Sequence, residues 1–129
     1  DLDPSAAAAA DKLNNLWEWQ SWKFKAFTAD CNSLDMREFS NWSPVAPNCV
    51  INTSVEHFSS RNWFAKIPAG TLCILQGTDW PDHDHVAPIS SAAELLERYS
   101  LSRILFSGSR ELVYSPSSVQ RRFMTIGYK

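Results

Sequence analysis

The densest group of metal-ligand side chains in this sequence is the segment Asp82-His83-Asp84-His85. Carboxylate oxygens and imidazole nitrogens bind zinc and other divalent ions. Alternate residues of an extended loop share a side, which places His83 with His85. No third or fourth ligand stands at a diagnostic spacing, so we expect a solvated loop whose acids cap the next helix, with no metal bound. A metal-dependent enzyme built on residues 82–85 is the alternative.

The three cysteines offer a second kind of chemistry, nucleophilic attack by a thiolate. Cys31, Cys49 and Cys73 are odd in number and not closely spaced, which fits neither a disulfide framework nor a paired-cysteine zinc site. Cys49 and Cys73 lie inside apolar, strand-like patterns. No histidine is selected as their base, so we interpret the cysteines as reduced core thiols.

The order of four short segments is the most specific feature of the sequence. They are Lys23–Phe27, Val50–Ser54, Phe64–Thr71 and Glu111–Pro116. This layout resembles that of mono-ADP-ribosyltransferase domains, in which a first strand carries an arginine for the NAD phosphates and a second ends in a Ser-Thr-Ser-like segment. In that family a third strand runs into an Ile-Pro-x-Gly-Thr turn, and a later strand begins with the catalytic glutamate.

The resemblance implies an NAD site at the polar ends of these strands. The hydroxyls of Thr53 and Ser54 would hold the nicotinamide ribose and the strand that carries it. Glu111 would be the catalytic residue, because a carboxylate can accept a hydrogen bond from a ribose hydroxyl and stabilise positive charge as nicotinamide leaves. The alternative is an unrelated domain in which Thr53 and Ser54 begin a turn and Glu111 faces solvent.

Two positions depart from the pattern of that family. Lys23 or Lys25 stands in place of the phosphate-binding arginine and supplies charge without the bidentate guanidinium fork. Ser109 lies two residues before Glu111, where arginine-modifying transferases carry a second acid. The resemblance thus implies an active transferase, an NAD-cleaving hydrolase or a degenerate domain, and the residues leave open whether the chain is an enzyme.

The first elements are predicted from capping and periodicity. Asp3 and Pro4 suit a helix start, and the alanines that follow favour a helix as far as Leu16. The pattern then alternates over Trp22–Thr28, which predicts a half-buried strand. The aromatic residues between 17 and 27 are therefore interpreted mainly as packing, although aromatic faces also stack on bases and sugars.

The rest of the chain alternates strand patterns with turn residues. Ser91 and Glu94 form a capping box that predicts a helix over Ser91–Tyr99, and Ser107-Gly108-Ser109 is typical of a hairpin bend. The predicted strands are Cys49–Thr53, Trp63–Ile67, Thr71–Gln76, Arg103–Phe106, Glu111–Tyr114 and Phe123–Tyr128. This order favours the α+β class: a single domain over residues 1–129, with an N-terminal helix followed by a mainly antiparallel sheet and one further helix.

Composition narrows the class of partner. The 129 residues carry a formal net charge of −2, and the basic residues are scattered, which argues against binding to duplex nucleic acid. No apolar run is long enough to span a membrane, and no signal peptide is recognisable in this chain, whose compartment stays unknown. Tryptophan and tyrosine serve as interface anchors, so we expect the partner of a noncatalytic domain to be another protein, as in an effector, immunity or viral structural module.

Overall fold

The computed structural model describes residues 2–14, 24–35, 47–115 and 118–129, in two compact units, Asp1–Leu34 and Asp35–Lys129. In the first unit, helix α1 spans Pro4–Leu13. The Asp3 carboxylate caps it by accepting the amide of Ser5 at 2.8 Å, as predicted. The helix ends before the predicted Leu16, because the side chain and amide of Asn14 both donate to the last-turn carbonyl of Ala10.

The predicted first strand, Trp22–Thr28, is wrong over the residues described. Residues 24–30 have no regular secondary structure. Asp11 explains the difference: its carboxylate accepts the main-chain amide of Ala26 at 2.7 Å and forms an ion pair with Lys25. A strand needs a neighbouring strand for its amides, and here the carboxylate of α1 takes one of them instead.

The second unit contains a mixed sheet of four strands in the order β1-β2-β4-β3. The strands are β1 (Cys49–Asn52), β2 (Leu72–Thr78), β3 (Arg103–Ser115) and β4 (Ser118–Tyr128). β1 pairs with β2 in parallel, whereas β4 is antiparallel to both β2 and β3. The α+β class and the mainly antiparallel sheet are therefore confirmed.

In the described part of this unit, two helices and one 3₁₀ turn join the strands. They are η1 (Val55–His57), α2 (Asn62–Ala65) and α3 (Ala92–Arg98). α3 is the further helix that the capping box predicted: Ser91 Oγ accepts the amide of Glu94 at 3.0 Å. The carboxylate of Glu94 binds the amide and hydroxyl of Ser90, and the hydroxyl is the main cause that lowers the pKa of Glu94.

The predicted strand Trp63–Ile67 is wrong, since most of this segment is helix α2. Trp63 and Phe64 are both buried, at 2% and 8% exposure, and an alternating strand would place such neighbours on opposite faces. The ammonium group of Lys129 donates to three main-chain carbonyls at the end of α2. The C-terminal residue of the chain thus holds this helix in place.

The predicted bend at Ser107-Gly108-Ser109 is also wrong. β3 runs without a break through these residues, and Gly108 pairs with Met124 of β4. The strand bends less abruptly, through register shifts between Ile104 and Phe106 and between Val113 and Ser115. Among the strands that the structure describes, β3 is consequently a long edge strand of 13 residues.

The core of the second unit lies where α3 and η1 pack on the sheet, and the rings of Trp63 and Phe64 in α2 contact Tyr99. Its fully buried side chains include Val55, Cys73, Leu75, Ile89, Leu95 and Tyr99. In the described part of the chain, no helix is long and apolar enough to cross a membrane.

Candidate metal centre

Two side chains of the candidate site, Glu56 and His57, come from η1. The chain turns sharply after β1 because the amide of Ser54 donates to Asn52 Oδ1 at 2.9 Å. The main-chain carbonyl of Glu56 then accepts the amide of Ala87 at 2.9 Å, in the loop between β2 and α3. This hydrogen bond ties η1 to the loop that carries the third side chain.

That third side chain is His85, from the acidic and histidine segment. A turn places it, because the amide of His85 donates to the carbonyl of Asp82 at 3.1 Å. Its ring atom Nδ1 lies 2.6 Å from the carbonyl of Trp80. A carbonyl can only accept, so Nδ1 is the donor, which in the neutral ring leaves the lone pair on Nε2. Metal-binding histidines are usually oriented in this way by a carbonyl or carboxylate.

The three side chains converge. One ligand atom each from Glu56, His57 and His85 lies within 4.8 Å of the other two. The imidazole rings meet edge to face, with their centroids 4.8 Å apart, and His85 Nε2 is 3.9 Å from Glu56 Oε1. The ligand atoms around a tetrahedral zinc are about 3.4 Å apart, given metal–ligand distances near 2.1 Å. Side-chain rotations that move the ligand atoms by about 1 Å would bring all three within bonding distance of one zinc ion.

Glu56 is the least expected member of this cluster. Its side chain is 2% exposed, and its Oε2 has no hydrogen-bond partner in the described structure. A buried carboxylate oxygen without a partner is strongly unfavourable, and native proteins rarely keep one without a use for it. An ion bound between Glu56 and the two histidines would supply the missing partner.

One cation of the protein already approaches Glu56. Arg122 Nη1 lies 3.9 Å from Glu56 Oε1, too far for a hydrogen bond but close enough for electrostatic attraction. The positive charge of Arg122 partly balances the buried carboxylate. His57 is exposed and His85 nearly buried, so the site opens to solvent on the His57 side.

A function for this chain has to be argued from this geometry, because the comparisons with known proteins found no match: no family model, curated protein or solved structure matches the chain. Because function resides in the arrangement of particular side chains and not in the fold, the cluster of Glu56, His57 and His85 is the feature from which a function can be argued.

The rest of the acidic and histidine segment forms a separate, exposed group. His83 lies 2.7 Å from Asp82 and 3.2 Å from Asp84. The amide of Asp84 is the main cause that lowers the pKa of Asp82, which keeps that carboxylate ionised. His83 therefore contacts aspartates while His85 contacts η1, and the expectation that the two histidines act together is wrong.

The residues assigned to an NAD site are spread over the structure. Thr53 and Ser54 follow β1, which ends at Asn52 on one edge of the sheet, whereas Glu111 is exposed on β3 at the other edge. Two strands lie between these edges, so the edges are about 14 Å apart at about 4.8 Å per strand. The structure does not bring Glu111 together with Thr53 and Ser54.

The two lysines assigned to the NAD phosphates belong to the first unit. Lys25 is ion-paired with Asp11 of α1, and Lys23 lies outside the described residues. The NAD hypothesis stays a prediction, without a cluster of the described residues to support it.

The cysteines agree with the interpretation as reduced thiols. All three are free of disulfides. Cys73 is fully buried, and burial raises the pKa of its thiol, which makes it unreactive. Cys31 and Cys49 are half-buried rather than core residues.

Glu56 and His57 are not predicted from the sequence as partners of His85. The adjacent pair Glu56-His57 was the available signal, because an acid and a histidine in succession can supply two ligands of one metal site. The third residue, His85, lies 28 residues downstream of His57, at no characteristic spacing. Only the fold brings the three side chains together.

Proposed function

We propose that the second unit is a metal-binding domain that holds a divalent transition-metal ion, such as zinc, between Glu56, His57 and His85. The observation that carries this proposal is the buried Glu56 carboxylate, which has an unpartnered oxygen and two imidazoles beside it. Two imidazole nitrogens and one carboxylate oxygen are a ligand set that suits zinc and ferrous iron.

The ligand set also favours a catalytic over a purely structural centre. Structural zinc sites have four protein ligands, whereas the three that the described residues supply leave a position for water or substrate. A metal in such a site acts as a Lewis acid and lowers the pKa of its bound water, as hydrolytic enzymes require. In this proposal Glu56, His57 and His85 hold the ion, the Trp80 carbonyl orients His85, and Arg122 attracts anionic groups to the site.

Isothermal titration of the metal-free protein with zinc tests the proposal. We expect one zinc to bind per chain, and we expect His85→Asn to weaken binding at least about tenfold, because a neutral imidazole ligand is lost. Binding should also weaken from pH 7 to pH 5, since metals compete with protons for imidazole nitrogen.

His83→Asn is the matched control, as it changes the same residue type two positions away in the same loop. It should leave the zinc affinity within about twofold of the original, since His83 faces only the exposed aspartates. Equal losses in the two variants, or no zinc binding by the unaltered protein, would refute the proposed centre.

A second candidate function is noncatalytic protein binding through β3. Edge strands are usually short, charged or covered, because their free main-chain groups can pair with another strand. β3 is long and displays apolar side chains: Ile104, Leu105, Phe106, Val113 and Tyr114 are 48–68% exposed. We propose that β3 pairs with a second strand by addition to the sheet.

A second copy of the chain is the occupant that β3 itself suits. Antiparallel pairing centred on Ser109 sets Phe106 opposite Leu112, Ser107 opposite Glu111 and Gly108 opposite Arg110. No like charges face each other in this register, and each glutamate meets a hydroxyl that can donate to it. The two edges can therefore pair without charge repulsion, and their polar residues face polar or small ones.

Sedimentation measurements over a range of concentrations test this second function. We expect a reversible dimer that Val113→Lys shifts towards monomer, because a lysine on an edge strand disfavours strand addition. Ile51→Lys, on the opposite edge at a similar exposure of 63% against 68%, should leave the dimer intact. A monomer at all concentrations, or the same response to both lysines, would contradict it.

A further inference from the structure

A groove of about 400 Å³ lies on the sheet and has Arg122 in common with the surroundings of the candidate metal centre. It is lined by Gln76 of β2, by Arg122 and Met124 of β4, and by residues of β3. The β3 residues are Phe106, Gly108, Ser109, Arg110 and Leu112. A groove of this size is within the range that binds small organic molecules.

The alternation of the strands explains how these side chains meet. Successive side chains of a strand point to opposite faces, so Phe106, Gly108, Arg110 and Leu112 share one face of β3. Gly108 leaves room for its neighbour: a Cβ at this position would lie 2.9 Å from Phe106 Cζ. The Phe106 ring therefore extends over Gly108 and forms an apolar part of the groove.

Two arginines provide the polar part. Arg110 is directly opposite Arg122 in the pairing of β3 with β4. Side chains in such pairs are about 5 Å apart at Cβ, and like charges there are destabilising. Arg122 has a nearby carboxylate, because its Nη1 lies 3.9 Å from Glu56 Oε1. Among the described residues, no carboxylate lies within ion-pair distance of Arg110.

The adjacent pair on these strands shows the usual arrangement. Glu111 is opposite Arg121, so unlike charges face each other there, and Arg121 is also ion-paired with Asp79 at 2.7 Å. The like-charged pair on these two strands is therefore Arg110 with Arg122, which are the two arginines that line the groove. An anion bound between them would turn their repulsion into attraction.

We propose that the groove binds a small organic phosphate, with its phosphate between Arg110 and Arg122 and its apolar portion against Phe106, Leu112 and Met124. One guanidinium group can donate two parallel hydrogen bonds to two oxygens of a phosphate. A phosphate monoester carries nearly two negative charges at neutral pH, which matches the charge of two arginines. A monocarboxylate would balance only one of them. Gln76 offers an amide to a further polar group of the ligand.

Titration with phenyl phosphate tests this site, because it combines a phosphate with one apolar ring. The metal-free protein is used, with chelator and low salt, so that the outcome does not depend on whether the metal centre exists. We expect phenyl phosphate to bind more tightly than inorganic phosphate, and benzoate to bind more weakly than either. Arg110→Gln should weaken phenyl phosphate at least about tenfold, as a charged hydrogen-bond partner is lost.

Arg103→Gln is the control, because Arg103 is exposed on the same strand but lies beside Tyr128, outside the groove. It should leave the affinity unchanged. Arg110→Gln should in addition raise the melting temperature in phosphate-free buffer, where it removes the repulsion with Arg122. No binding of phenyl phosphate, tighter binding of benzoate, equal losses in both variants or a lower melting temperature of Arg110→Gln would each overturn the proposal.

Discussion

Replacing Gly127 with alanine should prevent the second unit from folding stably. A Cβ at this position would lie 2.3 Å from the main-chain oxygen of Arg103 and 2.9 Å from Leu101 Cδ1. Main-chain atoms of a paired strand cannot move aside without breaking the sheet, and Gly127 pairs with both β2 and β3. We expect Gly127→Ala to lower the free energy of unfolding by at least about 3 kcal/mol, as measured by urea denaturation.

Gly108→Ala is the matched control for this prediction. The added Cβ would approach Phe106 Cζ to 2.9 Å, but that atom is the far end of a side chain that can rotate. The free energy of unfolding should change by no more than about 1 kcal/mol, because alanine also favours a strand over glycine. Similar losses for the two variants would show that the close approach at Gly127 is not the cause.

The predictions that rested on local interactions were the accurate ones. Asp3 and Ser91 cap their helices as expected, because a capping oxygen bonds amides within a few residues of itself. Glu94 binds Ser90 rather than Ser91, a change of one residue that local rules do not resolve. β2 and β4 were found by their apolar pattern, although β4 begins earlier than predicted.

The errors arose where distant residues decide the structure. The bend predicted at Gly108 is absent because β4 supplies a partner for every residue around it. The strand predicted around Trp63 is a helix, held by the ammonium of Lys129 from the far end of the chain. Neither interaction leaves a periodic trace in the sequence.

The candidate site shows the same division between local and distant information. The sequence predicts His85 as one of a group of ligand residues, but the partners predicted for it are its neighbours along the chain. The structure turns it towards Glu56 through the carbonyl of Trp80, which no spacing rule could show. Burial of Glu56 was equally hidden, because glutamate is normally an exposed residue.

Replacing Glu56 with glutamine should separate metal binding from stability. The amide keeps the shape of the side chain but removes its charge, so we expect zinc affinity to fall about a hundredfold or more. The metal-free variant should be more stable than the original protein by about 1 kcal/mol, because the unpartnered buried carboxylate is gone. Zinc titration and urea denaturation of the same preparations measure both effects.

Glu97→Gln is the control, because Glu97 is an exposed glutamate on α3 and the substitution removes the same charge as Glu56→Gln. It should change neither the zinc affinity nor the stability measurably. If Glu56 served only as an ion-pair partner of Arg122 and His85, Glu56→Gln would destabilise the metal-free protein, because it would leave Arg122 without its nearby carboxylate. A gain in stability together with a loss of zinc binding is the combination expected of a metal ligand, because a functional site can retain a buried charge at a cost to the stability of the metal-free protein.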